Sequence, residues 1–329
     1  MKENLEEAPL LVGFGEAMIR LSAPDRAPLS VSKELTVGVG GSELNVLVTA
    51  SALGLRSRWL TRLPANELGQ MIRRHALSND VQVVADDEVG ARAGLFFYEF
   101  GVPPRPSHVI YDREDSAMSH VDADEFDWEH VLEGASGAHV TGITCALGKG
   151  PFEATLAFLR SAKALGVSTS FDMNYRTQLW PVDEARSAFV AILPLVDTLF
   201  VAQRDLTLLQ GSGTTADLAR SVQDQFDIKT LVIRERAALS SAELSVSVSV
   251  FGDDESTVQA SGVVVDEIGA GDAAAGAFLS SMLGGGDTRT STERAARAYA
   301  RMLTIPGDTW FGTLHDLNDG YVVARTVVR

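Results

Sequence analysis

From about residue 135 onward the chain alternates between two kinds of segment, and that alternation limits the fold more than any other feature. Apolar runs at 138–142, 167–172, 196–201 and 229–234 read as strands, and residues 152–165, 183–193, 204–210 and 214–225 carry helical patterns between or after them. Such alternation predicts a parallel sheet covered on both faces by helices. The N-terminal part starts the same way. Pro9–Gly15 reads as a buried strand, and Glu43–Leu53 as a helix bracketed by Gly40-Gly41-Ser42 and Gly54. Residues 56–63 read as a strand and 66–77 as a helix. Residues 243–251 alternate with period two, as a half-exposed strand does. A strand-like run, Gly262–Val265, precedes a helix starting near Ala270, and another helix runs from about Thr292 to Leu303.

Two stretches break the pattern. Residues 16–39 hold Pro24, Pro28 and the patches Leu29–Ser32 and Leu35–Val37, which read as half-exposed strands. Residues 92–113 read as a hairpin, with Leu95–Tyr98 and Val109–Tyr111 joined through Gly101, Pro103, Pro104 and Pro106. The expectation is a single α/β domain over 1–329, with a β lid built from insertions at about 16–39 and 92–115. There are no internal repeats.

The net charge of −16 excludes a general nucleic-acid or anionic-membrane binder, since both need a basic face. It allows an anionic small substrate where a few Arg or Lys converge. Cys145 is the single cysteine, which excludes an intrachain disulfide and a Cys-based metal site and favours a reducing compartment. The start, Met1–Glu7, is acidic without an apolar stretch, and the apolar window Ala188–Ala202 is interrupted by Pro194 and Asp197. A cytoplasmic protein is expected.

Several signatures fail. Gly142–Gly150 has five residues between its first two glycines and a glycine after the lysine, so it lacks the Walker spacing and the Mg²⁺-binding hydroxyl. Gly13-x-Gly15 lacks the third glycine of a dinucleotide fold. His75, His108, His120, His130, His139 and His315 show no metal-ligand spacing, and no G-x-S-x-G elbow occurs.

One segment holds: Asp266-Glu-Ile-Gly269-Ala270-Gly271-Asp272, followed by a helix of small residues. Glycines at 269 and 271 let the backbone turn tightly and present consecutive N–H groups at a helix N-terminus, where the dipole favours an anion. An acid inside an anion site makes sense as a general base beside a transferring phosphoryl group. The plain alternative is a loop with an Asp cap.

The chain resembles the PfkB (ribokinase-like) carbohydrate kinases over nearly its whole length. The resemblance rests on Gly40-Gly41-Ser42-Glu43-Leu44-Asn45 and on Gly269–Gly276, in that order and about 230 residues apart. Within that family, Arg105–Ser119, Phe171–Trp180 and Thr304–Asp308 look like the 2-keto-3-deoxygluconate kinases. The resemblance implies a doubly wound three-layer αβα fold with a small β-sheet lid, and ATP-dependent phosphorylation of a sugar hydroxyl. It implies Asp272 as the base and Gly269, Ala270 and Gly271 as an anion hole. Gly41 and Asn45 would meet the substrate's hydroxyl end, and Tyr111, Arg113 and Arg176 the sugar acid. Two arginines suit a carboxylate, which a guanidinium fork binds through two parallel hydrogen bonds. The plain alternative for Arg113 is a solvated pair with Asp112 or Glu114. Mg²⁺ would be carried by the nucleotide and water, with acids assisting. Glu16 stands where relatives often bind sugar hydroxyls, and Phe96-Phe97-Tyr98 is expected to pack in the lid.

The chain also departs from the family. The N-x-x-E motif is replaced by Ala202-Gln203-Arg204-Asp205. Arg234–Ser240 lacks the glycine-rich turn, which leaves Arg234 as a candidate nucleotide contact. A lid tyrosine near Phe96 is missing, and Ala274 replaces an aromatic. Two rivals stay open: a neutral-sugar or nucleoside kinase of the same fold, and a non-catalytic sugar or nucleotide sensor. Exposed lid strands would pair in a homodimer.

Overall fold

The apolar runs enter the sheet with alternate side chains sent to opposite faces. In β1 (Leu10–Phe14), Leu10, Val12 and Phe14 join one core and Leu11 the other. The computed structural model describes residues 7–102 and 104–318. The acidic Met1–Glu6 and the turn residue Pro103 lie outside the described residues.

Two strands follow β1 in the N-terminal excursion, β2 (Met18–Ser22) and β3 (Thr36–Gly40). They are succeeded by β4 (Arg56–Pro64), β5 (Val81–Glu88), β6 (Leu95–Glu99), β7 (His108–Asp112) and β8 (Ala135–Thr141). The chain continues with β9 (Ser168–Asp172), β10 (Thr198–Ala202), β11 (Thr230–Ala238), β12 (Glu243–Phe251) and β13 (Ser256–Val263). Among the described residues these form two sheets. The large one has the order β13-β12-β11-β10-β9-β8-β1-β4-β5 and is parallel from β11 to β5, with β12 antiparallel to both neighbours. The small one has the order β3-β2-β6-β7. Helices Ser42–Ala52, Glu67–Ser78, Ala270–Leu283 and Thr288–Met302 cover one face of the large sheet, with Trp59, Phe200 and Phe278 in the core between. Helices Lys149–Ala164, Val182–Ile192, Gln203–Gln210 and Thr215–Phe226 cover the other, over Phe14, Phe158, Phe171 and Phe189. The expected doubly wound architecture with a small additional sheet is therefore present.

Local differences have local causes. Leu29–Ser32 is a turn rather than a strand: the amides of Val31 and Ser32 fold back onto the Pro28 carbonyl, and Val31 is exposed. The strand of that region is β2, whose mixed Met-Ile-Arg-Leu-Ser pattern hides a buried arginine. β5 was not expected, because its second half is Asp-Asp-Glu; it is an edge strand whose acids face solvent or Arg62 and Arg73. The Thr288–Met302 helix begins four residues earlier than its apolar pattern, because Asp287 caps it by accepting from the Thr290 amide (2.6 Å).

Two close approaches position the site. The small residues of the Ala270–Leu283 helix let it lie against Ser42–Ala52: a Cβ on Gly276 would stand 2.6 Å from the Val46 carbonyl oxygen. The start of Ser42–Ala52 is in turn tied to the end of β8. Buried Glu43 accepts through Oε1 from the Thr141 amide (2.9 Å) and from the hydroxyls of Thr141 and Thr144 (2.7 Å each). Gly15 leaves room for that carboxyl, since a Cβ there would lie 2.3 Å from it.

Burial pushes the Glu43 carboxyl up to about 7, against the pull of the threonine hydrogen bonds. A group raised on folding stabilises fully below its unfolded value of 4.5 and loses that contribution as pH rises through 7. Glu43→Gln is expected to flatten the stability profile between those limits, by up to about 3 kcal/mol. Urea denaturation of both proteins from pH 4 to 8 measures the slope, and parallel slopes refute the assignment.

Candidate active site

A cleft of ≈ 630 Å³ opens between the small sheet and the ends of β9, β10 and β11. Ligands of open parallel sheets bind at the carboxyl ends of their strands. Phe96, Tyr98 and Tyr111 from β6 and β7 form its roof. Gly41, Ser42 and Asn45 form one wall, and Gly269, Gly271 and Asp272 another. Gly41 lies against the connection between β1 and β2 so closely that a Cβ would stand 2.4 Å from the Glu16 carbonyl oxygen.

Asp272 sits in the first turn of its helix, three residues after the cap Gly269, whose φ of +81° is left-handed and favours glycine. Ala270, Gly271 and Asp272 have amides with no partner inside the helix, as first-turn amides do. Gly269 and Gly271 line the cleft, whereas Ala270 is fully buried and does not line it. The Ser42 hydroxyl donates to Asp272 Oδ1 (2.7 Å) and Asn45 Nδ2 donates to Oδ2 (2.9 Å). Asn174, held in left-handed backbone at φ +37°, donates from Nδ2 to Ser42 Oγ (2.9 Å). Burial raises the Asp272 carboxyl above the usual carboxylate range; Asn45 and Ser42 pull it down, Asp172 pushes it up and Arg176 pulls it down. A carboxylate with raised basicity, held by two donors beside free helix amides, can take a proton from a hydroxyl while an adjacent anion is stabilised.

Residues 8–308 match the family described as pfkB family carbohydrate kinase. The chain belongs to the pfkB family of carbohydrate kinases. The 2-dehydro-3-deoxygalactonokinase of Haloferax volcanii is 36% identical over 302 residues, covering 91% of this chain and 92% of its own. The 2-dehydro-3-deoxygluconokinase of Thermoproteus tenax is 32% identical over 312 residues, covering 93% and 92%. The crystal structure of 2-dehydro-3-deoxygluconokinase from Thermotoga maritima superimposes with a TM-score of 0.90 at 33% identity, covering 94% of this chain and 97% of that one. The chain is thus a sugar kinase.

The remaining expected residues of this pfkB kinase fall into two groups. Tyr111 and Arg176 line the cleft. Arg176 is exposed and, among the described residues, is held by no ion pair. Arg113 does not line the cleft. It is buried and paired with Glu16, whose other oxygen accepts from Ser116, so neither the expected sugar contact nor the solvated pair with Asp112 or Glu114 describes it. Arg234 does line the cleft, but its charge is engaged: Nη2 reaches both Asp172 oxygens (2.7 Å each) and Nη1 the Gly271 carbonyl (2.9 Å). Burial opposes the Arg234 charge, and Asp172 more than offsets it.

Sequence reasoning missed Ser42 as a partner of Asp272 and Asn174 as the donor to Ser42. Their signals were a hydroxyl beside Gly41 and an asparagine two residues after a strand-end aspartate. Among the described residues, no group of three or more His, Cys, Asp or Glu is arranged to hold a metal ion. The Ala202–Asp205 stretch lines the cleft opposite Asp272's partners, with buried Asp205 raised by burial and pulled back by Arg204.

Removing the Ser42 donor is expected to raise the Asp272 carboxyl further. A ¹³C titration of labelled aspartates in Ser42→Ala should show one resonance moving to higher pH, and an unmoved set of resonances refutes the coupling.

Proposed function

We propose that this pfkB kinase transfers the γ-phosphate of ATP to a hydroxyl of a 2-keto-3-deoxy sugar acid of the gluconate or galactonate series, with Asp272 as general base. The observation that carries the reading is the pairing, in one cleft, of Asp272 at the free amides of a helix start with the unpaired guanidinium of Arg176. The amides of Ala270–Asp272 stabilise charge on the phosphoryl group in flight. Arg176 takes the substrate carboxylate as a fork. The names of the relatives from Haloferax and Thermoproteus point to the same class of acid.

Asp172 and Asp205 line the nucleotide end of the cleft; burial raises Asp205, Arg204 pulls it back and Asp172 adds to the rise. A hydrated Mg²⁺ escorting the nucleotide would neutralise phosphate charge there, with Asp205 assisting, since Arg234 already holds both Asp172 oxygens. Asn45 and Ser42 orient the Asp272 carboxylate toward the sugar hydroxyl. The small sheet acts as a lid that excludes water, which would otherwise divert the phosphoryl group.

ATP consumption against 2-keto-3-deoxygluconate, 2-keto-3-deoxygalactonate, gluconate, fructose, ribose and adenosine tests the reading. Asp272→Asn should lower kcat by about 10²- to 10⁴-fold while leaving sugar binding nearly intact. Near-normal turnover in that variant removes the base. Arg176→Met should weaken use of the keto-deoxy acids by about 10- to 100-fold and leave any neutral-sugar turnover unaffected. Equal losses on both classes would remove the carboxylate role. Because the Asp272 carboxyl is raised in the free enzyme and must be ionised to act, the acid limb of the kcat/KM profile should fall above the ordinary aspartate value of 3.8.

A further inference from the structure

Arg20, on β2 of the small sheet, is only 3% exposed and reaches across to the large sheet's loops. Its Nη1 donates to Asp308 Oδ1, its Nη2 to Asp266 Oδ2, and its Nε to Ser22 Oγ (2.8 Å). The rings of Tyr98 and Phe100 lie 4.7 and 5.7 Å from the guanidinium carbon. Arg20 is not on the cleft wall, and the mechanism above does not use it.

Both aspartates have further contacts, and one contact of each reaches the turn around Gly269. Asp266 accepts from the Ile268 amide (3.0 Å) and from the Gly307 amide (2.9 Å). The Asp308 backbone packs on the cap: a Cβ on Gly269 would stand 2.6 Å from the Asp308 carbonyl oxygen. The Asp308 carboxylate also lies against Gly40, directly before the Gly41-Ser42 wall. Two buried carboxylates on adjoining segments repel unless a cation stands between them. A planar fork serves two acceptors at once, which an ammonium group does less well.

We propose that Arg20 is a positioning residue for phosphoryl transfer: it fastens the small sheet to Asp266, whose carboxylate holds the Ile268 amide, and to Asp308, whose backbone packs against Gly269, so the seating of that sheet sets the orientation of the turn and of Asp272. The proposal rests on the kinase reading above, with Asp272 as the base. A purely structural ion pair would contribute little net stability and would be replaceable. A positioning pair sets geometry where small displacements cost rate.

The test uses the full chain as Arg20→Lys, Arg20→Met and the double variant Arg20→Met with Asp266→Asn, assayed with MgATP and both keto-deoxy acids. Arg20→Lys should lower kcat by about tenfold or more while each KM stays within about threefold. Amide hydrogen exchange over 268–273 should be faster than in the wild type. In the double variant, which removes one cation together with one anion, the melting midpoint should recover but kcat should not. Wild-type kcat and exchange in Arg20→Lys overturn the proposal, as does restored kcat in the double variant, because Arg20 then only balances charge. If the methionine variants fail to fold, Arg20→Lys alone decides. Asp272→Asn run in parallel separates the two readings: full turnover there sinks the base assignment. The exchange experiment needs no substrate and still judges Arg20.

Discussion

The site depends on how closely two helices approach. The run of alanines around Gly276 has no side-chain bulk, so the Ala270–Leu283 helix settles onto the backbone of Ser42–Ala52. That contact brings the first turns of both helices side by side. Ser42 and Asn45 on one then reach Asp272 on the other, across about 230 residues of sequence. A larger residue at 276 would meet the Val46 carbonyl and part the two turns. Helix packing of this kind converts a change in side-chain volume into a displacement of the reacting group.

Charge is the second organising constraint. A chain with a net charge of −16 that handles anionic substrates needs its positive potential to be local. Most of the arginines near the cleft are already spent on acids: Arg234 on Asp172, Arg113 on Glu16 and Arg20 on Asp266 with Asp308. Their pairing leaves Arg176 and the helix amides to meet an incoming anion. Under the reading proposed above, a guanidinium held by no ion pair among the described residues, set among neutralised ones, discriminates better than a diffuse basic surface, because it fixes where a carboxylate would sit. The same division explains why two arginines that the resemblance treated alike have different surroundings.

Legibility in the sequence followed the range of the interactions. The alternation of strands and helices is written in local periodicity, and the large sheet could be read from it. Gly269-Ala-Gly-Asp272 was legible because a tight turn at a helix start needs glycine whatever lies around it. β5 and β2 were not, since an edge strand and a strand with an inward arginine both break the apolar pattern that marks strands. Arg20 and its partners are separated by 246 and 288 residues, so nothing local announced them. Arg113 reads as one member of a solvated cluster, Asp-Arg-Glu-Asp, until folding brings Glu16 against it.

The small sheet and the anion turn meet at one short segment, and that has a mechanical consequence. Met18, Phe96 and Tyr98 form a separate apolar cluster in the small sheet, and Ile268, directly before the Gly269 cap, packs against it. The Ile268 amide is held by Asp266, which Arg20 holds in turn. The polar and apolar attachments of the roof therefore converge on 266–268, directly before the Gly269 cap. Asp308 is raised to about 7 by burial and drawn back by Arg20, so the junction also carries a buried charge that its surroundings oppose. A roof attached elsewhere could open without disturbing the turn. Attached here, a shift of the roof would pull on the turn that opens the Asp272 helix, and under the phosphoryl-transfer reading proposed above water exclusion becomes coupled to the geometry of transfer.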